Sequence, residues 1–406
     1  MRDLPSLAPG IATAGLAQSP ANAQLLRLVA DAGRNVPMYR RLWVDSGIDV
    51  SDVRTTRDFQ RLPRIDKAVL RASRPEDRIH ARRLGKRLVE ERSSGSSGEP
   101  LTVFKDRYVE VVRRWAFLRA LHACGYRPGQ RCLLLTSRRE AREWRALRWS
   151  YASIGEDTAA LASRLDALGP GLIYGPLSTL ELLAEHLGGR GPARSGPRLV
   201  VSTAEQMTRP RRATLERGFG TRIADFYGMT EFGLIAYRPP GGSAFLPARS
   251  SLLLEFLSVP GEPALERLVV TDLAARTSPL IRYDTGDLVR RDTGCASRPI
   301  LEFAGRSFDS IVRPDGERIS PYRLDVLLEQ VAGLNAFEVV QQADRSIDVT
   351  LEVESGTAER VEAVVRRELQ AVVGAGLALR IGLGPIHRAP SGAKFRAIRS
   401  HAREGA

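Results

Sequence analysis

The sequence predicts a large α/β body that carries a β-rich subdomain, followed by a small α+β unit. Three observations predict it. Between about residues 107 and 228, apolar runs of helical period alternate with short apolar runs of strand length. From about residue 244 the long helices stop, and strand-like runs follow one another through turns. After Gly305, helices and strands mix again over about 100 residues, enough for a separate compact unit.

The elements follow in order. Residues 21–44 hold a helical pattern ending in NVPMYRRL, and TTRDFQRLPRIDKAVLRA continues with Leu62 and Pro63 as punctuation. RYVEVVRRWAFLRALHACG places Tyr108, Val111, Val112, Trp115, Leu118 and Leu121 on one predicted helical face, and Gly125 ends it. RCLLLT reads as a short buried strand. In STLELLAEHLGG, Ser178 stands three residues before Glu181, the spacing of a capping box. RLVVST (198–203) and RIADFYG (222–228) read as further core strands. Alternating helices and strands argue for a largely parallel sheet. LLLEFL, ERLVVTDL, SPLIRYDTGDLVRRD and ILEFAG supply the β-rich part. Then SIVRPDGERI reads as a hairpin turning at Asp315-Gly316. Helices are predicted at 321–331 and 357–373, strands at AFEVVQQ, SIDVTLEVE and LALRIGL. Val361, Val364, Val365, Leu369 and Val372 share one side of the second helix. No internal repeat is present.

Composition narrows the class. The chain has 406 residues, 43% hydrophobic and 27% charged, the profile of a globular protein of two or three domains. No apolar run reaches the length of a membrane span. The N-terminal MRDLPSLAPGIATAGLAQSP lacks a sustained apolar core and is not read as a signal peptide. Cys124, Cys132 and Cys295 form an odd, sparse set, which argues against a disulfide framework and for a reducing, cytoplasmic location. The net charge is +14, almost all of it from arginine; the lysines are Lys67, Lys86, Lys105 and Lys394. The arginines are scattered, with no basic tail or aromatic-interleaved stripe. That predicts a solvated surface attractive to anionic small molecules, with neither a nucleic-acid nor a membrane partner. Salt-dependent binding of random DNA would reverse this reading.

Five polar islands sit at predicted strand ends or loops. The first is Ser93, Ser94, Gly95, Ser96, Ser97 and Gly98, a run that cannot build core. Its backbone N–H groups suit an anion cradle, and a flexible linker is the plain alternative. The others are DFYGMTE (225–231), YDTGD (283–287), Gly305-Arg306 and SGAKFR (391–396). Each alone reads equally well as a turn. Together they supply the parts of a nucleotide site. The glycine–serine loop would hold a triphosphate, and Glu231 a Mg²⁺ ion, because hard cations take oxygen ligands. Tyr227 would stack a nucleobase and Asp287 accept ribose hydroxyls. Lys394 or Arg306 would neutralise charge growing on a phosphoryl group or a carboxylate.

The order of these islands resembles the adenylate-forming superfamily of acyl-CoA ligases, adenylation domains and luciferases, and within it the phenylacetate–CoA ligase branch. The resemblance runs over about residues 25–400 through NVPMYRRL, LPRIDKAVLR, SSGSSGEP, IYGPLSTLELLAEHL, VSTAEQMT, DFYGMTEFG, LIRYDTGDL, FAGRSFDSIV and SGAKFR. It implies a body over residues 1–305 and a mobile lid over 306–406, hinged at about Arg306–Asp309. It implies attack of a small, aromatic or compact carboxylic acid on the α-phosphorus of ATP. The acyl group would then pass to CoA or a carrier-protein thiol. Matched position by position, the phosphate loop is Ser93 to Gly98, and Ala204 and Glu205 border adenine and the acyl pocket. Asp225, Phe226, Tyr227, Gly228 and Met229 belong to the base-binding segment. Thr230 is the phosphate-contacting hydroxyl, Glu231 the Mg²⁺ ligand, Asp287 the ribose acid, Arg306 the arginine after the hinge glycine and Lys394 the catalytic lysine.

Five departures qualify the match. Glu99 stands where relatives usually carry lysine. Phe308, followed by Asp309, occupies the hinge position where aspartate is common. Ala393 replaces a glycine before Lys394. Cys295 has only Ser297 where a second zinc-binding cysteine would stand, so no zinc is expected. Residues 137–172 are compressed where relatives shape the acyl pocket. A non-thiol acceptor, an unusual non-carboxylate substrate (a coenzyme hydroxyl or nitrite) and a nucleotide binder without turnover stay open, as does a monomer or a homodimer.

Overall fold

The computed structural model describes residues 20–92, 101–136, 148–188, 196–295, 297–306, 309–328, 330–374, 376–386 and 397–402. Residues 1–19, the loop Ser93–Gly98, Glu99, residues 137–147 of the compressed segment, Phe308, Ala393 and Lys394 lie outside the described residues.

The expected helix over 21–44 is two helices, α1 (Pro20–Asn35) and α2 (Pro37–Asp45). Val36 between them is extended (φ −116°, ψ 107°) because Pro37 crowds the helical conformation of its predecessor. Two short helices follow. In α3 (Thr56–Phe59), Thr55 and Asp58 form a reciprocal capping box; α4 (Lys67–Ala72) is capped by Asp66, which accepts from the Val69 amide at 2.9 Å. This N-terminal segment buries Val29, Tyr39, Trp43, Phe59 and Leu62 in one core with Leu268, Val270 and Tyr283. Polar ties fix it there. The Tyr39 hydroxyl donates to the Pro279 carbonyl at 3.1 Å and accepts from the Ile281 amide at 2.8 Å. Arg282 donates to the Gln60 carbonyl at 2.6 Å and to the Leu62 carbonyl, and pairs with Glu255 at 3.0 Å.

β1 (Val89–Arg92) and β2 (Thr102–Lys105) pair antiparallel, with Arg92 opposite Thr102. Asp106 then caps α5 (Arg107–Ala123), accepting from the Val109 amide at 2.9 Å. The predicted face of this helix is corrected. Tyr108, Val111 and Trp115 are exposed (66%, 52% and 61%), whereas Val109, Ala116, Ala120 and Leu121 are buried. Apolar side chains run around most of α5. The stripe containing two alanines lets the helix lie close to the sheet, which the period alone does not reveal.

Next come β3 (Cys132–Thr136), β4 (Trp149–Ser153), α6 (Thr158–Leu168), β5 (Leu172–Pro176), α7 (Leu177–Gly188), β6 (Leu199–Thr203), α8 (Arg209–Phe219), β7 (Ile223–Met229), β8 (Gly233–Arg238) and β9 (Leu246–Pro247). They build a seven-stranded sheet of order β4-β3-β5-β6-β7-β8-β9. The strands from β4 to β7 are parallel; β8 and β9 add antiparallel. Alternate strand residues feed opposite faces. Val200 and Ile223 join Leu161, Leu180, Leu183 and Leu215 of α6, α7 and α8, while Leu199, Val201 and Ala224 join Ala120 and Leu121 of α5. The capping box expected at Ser178 and Glu181 is absent. α7 starts at Leu177, and both side chains bond elsewhere.

The β-rich part is a four-stranded antiparallel meander of β10 (Leu252–Val259), β11 (Glu262–Asp272), β12 (Tyr283–Arg291) and β13 (Ile300–Arg306). The last part opens with the expected hairpin, β14 (Ile311–Val312) and β15 (Arg318–Ile319). It continues through α9 (Pro321–Leu328), β16 (Leu334–Gln341), β17 (Ile347–Val353), α10 (Ala358–Val373), β18 (Leu379–Leu383) and β19 (Ile398–Ser400). Its sheet, ordered β18-β17-β16-β19, has its own core, in which Val361, Val365 and Leu369 of α10 meet Val339, Val349 and Leu351. No helix among the described residues is long and apolar enough to cross a membrane.

Candidate active site

Parallel strands leave their loops at one edge of the sheet, where ligands collect. Here a cleft of about 1080 Å³ opens beyond the carboxyl ends of β6 and β7. Its other walls come from α4, the meander strands β12 and β13, and the β14–β15 hairpin. Every described candidate lines it, from Ala204 and Glu205 through the run 225–231 to Asp287 and Arg306.

The centre is a linked set on β7, β12 and β13. Asp287 lies opposite Arg306 in the strand register, and Arg306 Nε is 3.4 Å from Asp287 Oδ1. The other carboxylate oxygen accepts from the Tyr227 hydroxyl at 2.5 Å. Burial and then the Asp287 charge push the Tyr227 phenol well above its ordinary range, so it stays a donor. One face of the Tyr227 ring is stacked on Phe303, centroids 3.6 Å apart and planes 17° from parallel. Gly228 allows β8 to close on β7: a Cβ there would stand 2.7 Å from the Gly233 carbonyl oxygen.

Glu231 is buried, and its carboxylate accepts from the Tyr283 hydroxyl at 3.1 Å. Its backbone is held from below. Arg113 of α5 donates to the Thr230 carbonyl at 3.2 Å and to the Glu231 carbonyl, and stands 3.7 Å from Asp272. Asp272 is clamped by Arg249 at 2.8 and 3.0 Å. Among the described residues no three His, Cys, Asp or Glu side chains gather as a metal cluster. A cation at Glu231 would thus take most of its oxygen ligands from phosphates and water, which suits Mg²⁺. Lys67, on the first turn of α4, also lines the cleft. Desolvation lowers its pKa; the Glu231 charge opposes that, while Arg71 and Arg306 add to it.

Other candidates support the wall. Ala204 is in the left-handed region (φ 75°), uncommon for a residue with a side chain, at the end of β6. Glu205 accepts from Ser178 at 2.7 Å and from Arg211 at 3.1 Å, while Arg211 forks onto Glu181 at 2.7 and 2.8 Å and holds the Gln206 carbonyl at 3.0 Å. Asp225 pairs with Arg238 at 3.0 Å, and burial raises its pKa against the pull of Arg238 and Arg212. The Phe226 ring is set edge-on to Phe117, Tyr174 and Tyr237.

Sequence reading missed Lys67, Arg113, Arg211 and Tyr283. Lys67 had one signal, its place in LPRIDKAVLR directly after a capping Asp. Tyr283 stands first in the YDTGD island but was given no role, and the roles of the other two come from contacts that only the fold makes.

No family model matches the chain. It is 30% identical over 302 residues to the phenylacetate–coenzyme A ligase of Thermus thermophilus, covering 65% of this chain and 63% of that protein. It is 27% identical over 327 residues to the Escherichia coli protein of the same name, covering 69% of each. Among solved structures it matches a 2-hydroxyisobutyryl-CoA ligase in the postadenylation state, with TM-score 0.72, 20% identity and 94% and 88% of the two chains covered. An anthranilate CoA ligase in complex with anthranoyl-AMP matches at TM-score 0.54 and 16% identity over 75% and 64%. The solved structures show that the chain shares the fold of these ligases, and in sequence it is similar to phenylacetate–coenzyme A ligases over about two thirds of its length.

Proposed function

We propose that the protein adenylates a small, aromatic or otherwise compact carboxylic acid with ATP and passes the acyl group to CoA. One observation carries the reading. Tyr227, Glu231, Asp287 and Arg306 converge on a single cleft in a chain related to phenylacetate–CoA ligases.

In this reading the nucleobase stacks against the Tyr227–Phe303 pair, and Asp287 accepts from the ribose while Tyr227 and Arg306 hold its carboxylate in place. Glu231, with Thr230 beside it, holds Mg²⁺, which when bound supplies charge neutralisation at the phosphates. The acid carboxylate attacks the α-phosphorus and pyrophosphate leaves. The thiol sulfur then attacks the acyl carbonyl and AMP leaves. Arg306, Lys67 and Lys394 offset the negative charge of the first step, which is mainly positioning and electrostatics. Residues 306–406 act as a lid that brings Lys394 to the cleft and turns away for the thiol. The chain works in the cytoplasm.

The test is pyrophosphate release with ATP and Mg²⁺ across aryl, amino-aryl and short-chain acids, with and without CoA. Acid-dependent release is expected, and silence with every acid would sink the reading. Lys394→Ala should slow release by about 10²–10³-fold without unfolding the protein.

A further inference from the structure

Beside the cleft, and sharing Met207, Thr208, Arg238 and Glu302 with it, lies a second hollow of about 350 Å³. Its walls carry four arginines: Arg209 and Arg212 of α8, Arg238 of β8 and Arg290 of β12. Counter-charge is incomplete. Glu302 answers Arg290 at 3.2 Å and Asp225 answers Arg238 at 3.0 Å. Arg212 reaches Asp225 only at 3.9 Å, and Arg209 forms no ion pair among the described residues. Arg212 Nη2 and Arg238 Nε are buried without a hydrogen-bond partner. Buried donors of this kind are normally satisfied, which leaves the two groups short of acceptors; the atoms themselves are closed to solvent, and an anion in the hollow would meet the exposed parts of the two side chains. Independently, the hollow meets the N-terminus of α8, where the Thr208 side chain makes no cap. The helix end adds positive potential there, although Pro210 in its first turn has no N–H to offer. Burial, and next the neighbouring Arg238, lower the Arg212 pKa, and the Asp225 and Glu216 charges only partly oppose that.

We propose that this hollow is an anion subsite that takes a phosphate group carried by a small molecule. Planar guanidinium forks match phosphate oxygens, and the space suits a phosphate or diphosphate rather than a whole nucleotide. The chemistry fits two sources, a phosphate of the acceptor coenzyme or free inorganic pyrophosphate. The inference goes beyond adenylation and does not need it.

The test is calorimetric titration with inorganic pyrophosphate, CoA and 3′-dephospho-CoA, with the main cleft saturated by α,β-methylene-ATP. Binding of that analogue is measured first, so failure of the adenylation reading is seen separately. Saturable binding is expected, weakened about tenfold by Arg209→Gln with Arg212→Gln, while affinity for the analogue is unchanged. Ser243→Glu on the exposed rim should weaken binding as much without touching the Arg212 contacts, and it decides the matter if the double variant fails to fold. A preference for CoA over 3′-dephospho-CoA that these variants abolish identifies the coenzyme as the source. Binding of pyrophosphate with no such preference identifies the free anion. No saturable binding of the three probes, or equal affinity in the variants, overturns the subsite.

Discussion

Lys67 shows how one side chain acquires a role from its surroundings. It is half-buried in the wall that also holds Glu231 and Arg306, and loss of water makes its charge easier to remove. Its proton should therefore leave at lower pH than that of a free lysine. If its charge assists adenylation, activity should fall along an alkaline limb as pH rises through that depressed pKa. Lys67→Ala should slow adenylation by about tenfold, and Lys67→Arg should move the limb upward. Pyrophosphate release against pH checks both, and an unchanged profile in both variants would remove Lys67 from the reaction. The cysteines divide in the same physical way. Burial pushes the Cys124 and Cys132 thiols up to about 12. Cys295 is exposed, and hydrogen bonding with Ser297 lowers its pKa. Iodoacetamide should label Cys295 alone in the native protein, faster as pH rises, and Ser297→Ala should shift that rise to higher pH. Peptide mass mapping reads it. Labelling of Cys124 before unfolding would contradict the packing.

Secondary elements were legible where a local device marks them. The Asp315-Gly316 hairpin and the strands RLVVST and RIADFYG stand as read, while α10 buries Val361, Val365, Leu369 and Val373, with Val364 and Val372 of the expected side only half-buried. Failures came where partners lie far away. The Ser178–Glu181 spacing promised a local cap, yet both side chains are drawn into the network around Arg211. The outward face of α5 was misread because its apolar content does not say which stripe meets the sheet. Asp106, which the sequence did not single out, caps α5 and also accepts from Thr277 at 2.5 Å. Asp106→Ala should lower stability by about 1–2 kcal/mol in urea denaturation. A smaller loss than in an exposed helix cap would show that the tie to Thr277 contributes nothing.

At the scale of the whole molecule, the join after β13 is where the proposed lid would hinge. Gly305 has φ +84°, and a Cβ there would meet Pro321 Cβ at 3.1 Å. Gly305→Ala forces the left-handed backbone on an alanine, at about 1–2 kcal/mol, and pushes the start of α9 away. The neighbouring Arg306 would move with it. Turnover should drop well beyond what the small loss in melting temperature explains. Wild-type pyrophosphate release from this variant would mean that the join is not a controlled hinge.

The order of short glycine, hydroxyl and carboxylate motifs along one chain pointed to the resemblance to phenylacetate–CoA ligases and named Tyr227, Glu231, Asp287 and Arg306 as candidates. Such motifs are local, because backbone turns and charged loops need particular residues at fixed offsets. The supporting contacts came from the fold: Arg113 beneath Glu231, Arg282 stitching the N-terminal segment to β12, Tyr283 against Glu231, and the arginines around the second hollow. An arginine can satisfy any carbonyl or carboxylate within reach of its long side chain. Which one it meets is settled when elements far apart along the chain are packed together, and no local pattern carries that information.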